Sequence, residues 1–94
     1  MKNEMIKFVS ENFKAIKAQF LKDEMNILEE IAEDEGDQYE FDFLVECLNN
    51  QLEVDSAEDL IDAINERTIG IDYDDESECI ELFNMIKAMK EAAN

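Results

Sequence analysis

No proline interrupts this chain of 94 residues, and it holds only two glycines. Proline breaks helices and glycine weakens them, so little in the chain prevents it from being helical throughout. The apolar residues follow that option. Met5, Val9, Phe13, Ile16 and Phe20 fall four, four, three and four apart, which is one face of a helix. The spacing predicts a first helix over residues 1–22, with Phe8 off its stripe. At Lys22-Asp23 the apolar pattern changes phase. Asp23 is therefore read as the cap of a second helix that runs to about Asp34 and stops at Gly36. That helix places Met25, Leu28 and Ala32 inward, with Ile27 and Ile31 beside them. Opposite, Glu29, Glu30, Glu33 and Asp34 fall within about 140° of one another at about 100° per residue.

Asp37 followed three residues later by Glu40 reads as a capping box for a third helix over about 38–52. Phe41, Leu44, Val45, Leu48 and Leu52 form its main stripe. Tyr39, Phe43 and Cys47 form a second stripe on the far side. A helix apolar on two sides is central in its bundle or buried twice, once in the core and once in a partner. Asp55-Ser56-Ala57-Glu58-Asp59 is another N-cap signature. The helix after it ends near Glu66, with Leu60, Ile61 and Ile64 inward and Glu58, Asp59, Asp62 and Glu66 outward. Thr68-Ile69-Gly70-Ile71 is a connector. Asp72, Asp74, Asp75, Glu76 and Glu78 lead into a last helix, roughly 75–92, whose inner face is Cys79, Leu82, Phe83, Ile86 and Met89. The expected fold is all-α, a single compact bundle of four to five helices in one domain over residues 1–94.

Charge limits what such a bundle meets. The chain carries 26 acids against 8 bases, a net of −18. Residues 1–22 hold five lysines against two glutamates, net +3, while residues 23–86 hold 23 acids and one base, Arg67. Nucleic acid and anionic membranes are bound by neutralising phosphates with Lys and Arg, so direct contact with either is not expected. No segment is long and apolar enough to span a bilayer, and the N-terminus lacks the apolar run of a signal peptide. A cytoplasmic setting is expected. Cys47 and Cys79 lie 32 residues apart with no histidine in the chain, neither a zinc pattern nor a disulfide framework, and both are read as reduced core thiols.

Several chemistries fit the composition poorly. Asp72-Tyr73-Asp74-Asp75-Glu76 suggests an EF-hand loop, but Ser77 stands where that loop needs glycine, and Phe83 where it needs glutamate. The segment reads as a solvated helix start, and no metal or cofactor is expected. Carboxylate pairs can act as acid and base, yet a histidine-free chain with one arginine offers few groups to position a substrate. No catalytic residue is assigned. Acyl carriage would place Asp-Ser-Leu at a helix start, where this chain has Asp55-Ser56-Ala57.

The acid density itself is the remaining signal. A compact domain of this length has a radius of gyration of about 12 Å and a diameter of roughly 30 Å. The net −22 of residues 23–86 spread along that length gives about one charge per 1.4 Å, near the duplex value of about 1.7 Å, with about half of it on any one side. Solubility needs a net charge magnitude of only about 2–8. Runs such as Glu29-Glu30-Ile31-Ala32-Glu33-Asp34-Glu35 and Asp72-Tyr73-Asp74-Asp75-Glu76 concentrate it. In this character, though by no diagnostic motif, the chain resembles the small acidic DNA-mimic inhibitors of phages and mobile elements, such as anti-restriction and anti-CRISPR proteins. The resemblance covers residues 23–86, and the basic first segment departs from it.

The resemblance implies a non-enzymatic inhibitor that occupies the basic groove of a nucleic-acid-binding protein, frequently as a dimer. The outward acids expected to stand in for phosphates are Glu29, Glu30, Glu33, Asp34, Asp42, Glu46, Asp59, Asp62, Glu66, Asp74, Asp75 and Glu76. A homodimer is expected to meet through Tyr39, Phe43 and Cys47 or through the flank of Phe8. Burial of both stripes within one chain would instead leave a monomer. The rival expectation is an immunity protein or antitoxin that blocks a basic nuclease through an aromatic anchor, Tyr39 or Tyr73. A third is a helical adaptor whose acidity serves solubility alone. One consequence holds for all three. Repulsion among exposed acids is screened over a Debye length of about 8 Å near physiological salt, so the thermal midpoint should rise between low and moderate NaCl. A flat melting curve series would mean that the acids are neutralised internally.

Overall fold

The computed structural model describes the backbone of residues 1–33 and 38–93 and the side chains of residues 1–30 and 41–93. Five helices follow one another: α1 Lys2–Glu11, α2 Phe13–Glu33, α3 Gln38–Leu52, α4 Ala57–Arg67 and α5 Glu76–Ala92. The described residues contain no strand. The all-α bundle expected from the spacing is the fold. The expected stop at Gly36 and the capping box begun by Asp37 lie outside the described residues.

The first break falls ten residues earlier than the sequence pattern places it. The chain turns at Asn12, where the backbone leaves helical geometry at φ −120° and ψ 26°. The Asn12 side-chain amide donates to the Phe8 carbonyl at 2.9 Å, and its backbone N–H donates to the same oxygen. Asn12 then serves α2 as well, because its carbonyl accepts from the Ile16 N–H at 3.0 Å. From Phe13 the helix runs without interruption through Lys22-Asp23 to Glu33. The expected change of phase does not occur. Ile16, Phe20 and Glu24 continue one buried line at intervals of four, and half-buried Leu28 extends it. Met25, expected inside, is exposed.

The apparent phase change arose from Glu24, a carboxylate in the buried stripe. It is only 5% exposed and is held by Arg67 of α4, whose Nε lies 3.2 and 3.3 Å from the two carboxylate oxygens and whose Nη2 lies 2.9 Å from Oε2. The hydrogen bond to Glu24 is the main cause that raises the Arg67 pKa above its ordinary value. A buried charge is tolerated when paired and hydrogen-bonded in this way.

The core is formed by α1, α2, α4 and α5. Met5 and Val9, Ile16 and Phe20, Leu60, Ile61 and Ile64, and Cys79, Leu82, Phe83 and Ile86 make one buried cluster. The inward residues assigned to α4 and the last helix are the ones found there, with Met89 packed against them. Ser56 caps α4 by accepting from the Asp59 N–H, and Asp75 caps α5 by accepting from the N–H groups of Ser77 and Glu78. After α4 the chain reverses at Gly70, whose φ of 61° suits glycine, and its N–H closes on the Asn65 carbonyl at 2.8 Å. The Asn65 side chain then clamps Ile71, donating to its carbonyl at 2.7 Å and accepting from its N–H at 3.0 Å.

The third helix is not central. It lies against α2, outside the main cluster, with Leu44 and Gln51 buried. Leu52, expected in its main stripe, is 56% exposed, and Gln51 takes the inward place. Lys17 of α2 fastens the end of this helix, donating from Nζ to the carbonyls of Leu52 at 3.0 Å and Val54 at 2.6 Å. Those carbonyls have no further helical turn to bond.

Breaking a buried ion pair from one side strands a charge, at a cost of ~3–5 kcal/mol. Arg67→Met should accordingly lower the urea-unfolding free energy by about 2–4 kcal/mol, the partial exposure of the Arg67 side chain placing it at the lower end. Glu24→Leu together with Arg67→Met should recover most of that loss. A double variant as unstable as Arg67→Met alone would show that the pair's charge is not what the fold depends on.

Candidate partner-binding surface

The helices distribute the acids outward. Glu29 and Glu30 on α2, Asp42 and Glu46 on α3, Asp59, Asp62 and Glu66 on α4, and Asp74, Asp75 and Glu76 at the start of α5 are all exposed. Glu33 and Asp34, assigned to the same role, lie outside the described side chains. Sequence spacing placed these acids correctly wherever an apolar stripe fixed the opposite face. It gave no sign that Glu24 is buried, since a buried acid leaves no signal in an apolar pattern except an interruption.

Not every exposed carboxylate is equally available. Around Asp72 to Glu78 several are bonded to their own backbone. Asp72 accepts from the Asp74 N–H, Glu78 accepts from the Asp72 N–H, and Asp75 caps α5. This is the solvated helix start that the sequence suggested. Among the described residues no cluster of three or more acids and cysteines is placed to hold a metal ion.

One patch gathers acids from two elements. Tyr73 donates its hydroxyl to Asp62, and Lys2 of α1 donates to Asp74 at 2.6 Å while its ammonium lies 5.3 Å from the Tyr73 ring centre. Glu58 and Asp62 also act on Lys2, after Asp74, to raise its pKa. Glu58, Asp62 and Asp74 therefore share one neighbourhood at the N-terminal end of α1. Burial, then the hydrogen bond to Asp62, pushes the Tyr73 pKa well above the ordinary tyrosine value. Tyr73 is thus bound to its own chain. Tyr39, the other suggested anchor, lies outside the described side chains.

The two alternative dimer contacts differ in exposure. Phe8 is half-buried against the core, its ring edge-to-face on Phe83 with centroids 5.6 Å apart. Phe43 is 52% exposed. Of the two thiols, Cys79 is a core residue at 1% exposure, and burial raises its pKa. Cys47 does not join that core. It is half-buried on the wall of a cleft between α3 and α4, which has a volume of about 400 Å³ and is also lined by Phe43, Gln51 and Arg67. The helical spacing of α3 could not show this cleft, because it depends on how far α3 stands from α4.

Among the described residues no helix is long and apolar enough to cross a membrane. Comparison with protein-family models, with curated proteins and with solved structures finds no significant match.

The Tyr73 arrangement gives a pH signature. Its raised pKa means that the unfolded chain loses the phenol proton first, at about pH 10, while the folded chain keeps it. The contribution is fully present below that value and is lost as pH rises towards the folded pKa. Urea midpoints should therefore fall from about pH 9 to about pH 11. Tyr73→Phe should flatten part of that fall. An identical slope in the variant would show that Asp62 does not hold the hydroxyl in solution.

Proposed function

We propose that this protein is a non-enzymatic inhibitor that imitates the charge of a nucleic acid and occupies the basic groove of a nucleic-acid-binding protein. The supporting observation is the exposure of the ten assigned acids whose side chains are described, over an elongated body. The molecule measures 42 × 26 × 21 Å, with a radius of gyration of 13.8 Å. The net −22 of residues 23–86 along 42 Å gives about one charge per 1.9 Å. The body is longer than the roughly 30 Å expected for a compact domain of this size, so the line density is lower than that shape implies. It still lies close to the duplex value of about 1.7 Å.

Such a surface attracts a basic partner from a distance, accelerating encounter in a way that salt suppresses. Each carboxylate replaces one phosphate contact, and no bond is made or broken. The rival, an immunity protein with a tyrosine anchor, has less support, since Tyr73 is half-buried and its hydroxyl already has a partner in Asp62. Both readings predict a protein partner with a strongly basic groove.

The test is competition with labelled duplex for a partner captured from host lysate at low salt and released at high salt. Exposed ion pairs are worth only ~0–1 kcal/mol each, so single neutralisations should weaken binding at most a few-fold. The combined change Glu58→Gln, Asp62→Asn and Asp74→Asn removes the gathered patch while leaving Tyr73 an acceptor. It should weaken binding by more than tenfold and act mainly by slowing association. Inhibition that persists without any competition for duplex would exclude mimicry.

A further inference from the structure

The long helix α2 carries a second apolar stripe, which the fold leaves open to water. Its first line, Ile16, Phe20 and Glu24, is buried. Ala18, Leu21 and Met25 form the other, three and four residues apart, which is the spacing of a seam between paired helices. Ala18 and Met25 are exposed, Met25 by 51%, and Leu21 is half-buried. Leu52, at 56% the most exposed large apolar residue among those described, is held at its carbonyl by Lys17, one position before Ala18.

Charge decides what can cover this stripe. Lys14 and Lys22 border it ahead of Met25, and Glu29 borders it four residues beyond. All three are exposed, and among the described residues none of their side chains is paired. Lys22 and Glu29 are seven residues apart, about two helical turns, so they lie on the same flank of the stripe. A basic partner would meet Lys14 and Lys22. An acidic one would meet Glu29 and a chain of net charge −18. A second copy of the chain, turned antiparallel, satisfies both signs at once. A two-fold axis close to Met25 lays Lys22 of each copy beside Glu29 of the other, so one self-complementary contact makes two opposite-charge pairs. Parallel pairing would instead set Lys22 against Lys17, the facing flank position of the seven-residue repeat. The stripe is also where two chains of like net charge repel least. Lys14, Lys17 and Lys22 offset nearby acids there, whereas α3 and α4 hold one base, Arg67, which is already bound to Glu24.

We infer that α2 pairs antiparallel with α2 of a second copy, across Ala18, Leu21 and Met25 and between Lys22 and Glu29. The inference goes beyond the proposed mimicry and does not depend on it. The contact lies away from Phe8 and Phe43, the contacts suggested by the sequence alone.

The test is sedimentation equilibrium of the full chain from micromolar to near-millimolar concentration at physiological salt. The wild type should show a reversible monomer–dimer equilibrium. Met25→Asp should leave it monomeric. Lys22→Glu and Glu29→Lys should each weaken association by about tenfold or more, because each turns two attractive pairs into two repulsive ones. An equal mixture of these two variants should recover the dimer, since every pair between one variant and the other is again of opposite charge. The doubly reversed variant should dimerise like the wild type. These positions are exposed, so circular dichroism should show unchanged helix content. Should Met25→Asp nonetheless fail to fold, the charge-reversal mixture decides alone. A monomeric wild type at the highest concentration, or a mixture that stays monomeric, would overturn the inference. So would a dimer that Phe43→Asp dissociates and Met25→Asp leaves intact.

Discussion

The only arginine of the chain, Arg67, is bound to the buried Glu24 of α2, and the arrangement of α2, α3 and α4 is built around that pair. It joins the middle of α2 to the end of α4. Because Glu24 lies in the buried line of α2, that helix must present the same face to the core on both sides of it, and it stays continuous from Phe13 to Glu33. The resulting long helix is the element on which α3 docks. The same guanidinium borders the cleft between α3 and α4. A buried pair of this kind adds little net stability over a well-packed apolar alternative, whereas a broken one is costly. Its three short contacts tie α2 to α4 at one defined position.

The basic N-terminal segment has a second use in the same fold. Lys17 bonds the carbonyls at the end of α3, and Lys2 bonds Asp74 just before α5. Lys87, on α5 itself, lies over the Phe83 ring at 4.0 Å. Lysines of a segment with the opposite charge from the remainder thus bridge its distant parts. Lys2 is an exposed contact and contributes little alone. Lys17 satisfies two backbone acceptors, a local structural role that surface charge counting does not reveal. With most acids of the remainder exposed, self-repulsion is resisted mainly by the apolar cluster of α1, α2, α4 and α5.

Much of this architecture was legible in the chain. The lack of proline, the three-and-four spacing and the N-cap signature around Ser56 determined helices, because each is a local effect of backbone geometry and hydrogen bonding. The inward faces of α4 and α5 and the outward acids opposite them followed from the same periodicity. The tertiary structure alone decided three things. It placed the break at Asn12, through a side-chain bond to Phe8 that spacing does not encode. It kept α2 whole across Lys22-Asp23, because an arginine 43 residues away in sequence makes a buried glutamate tolerable. It moved α3 to the flank, where Leu52 faces water, Gln51 is buried and Cys47 borders a cleft. An apolar pattern says which residues avoid water, but the partner of a buried polar group and the gap between two helices depend on chain segments far apart in sequence.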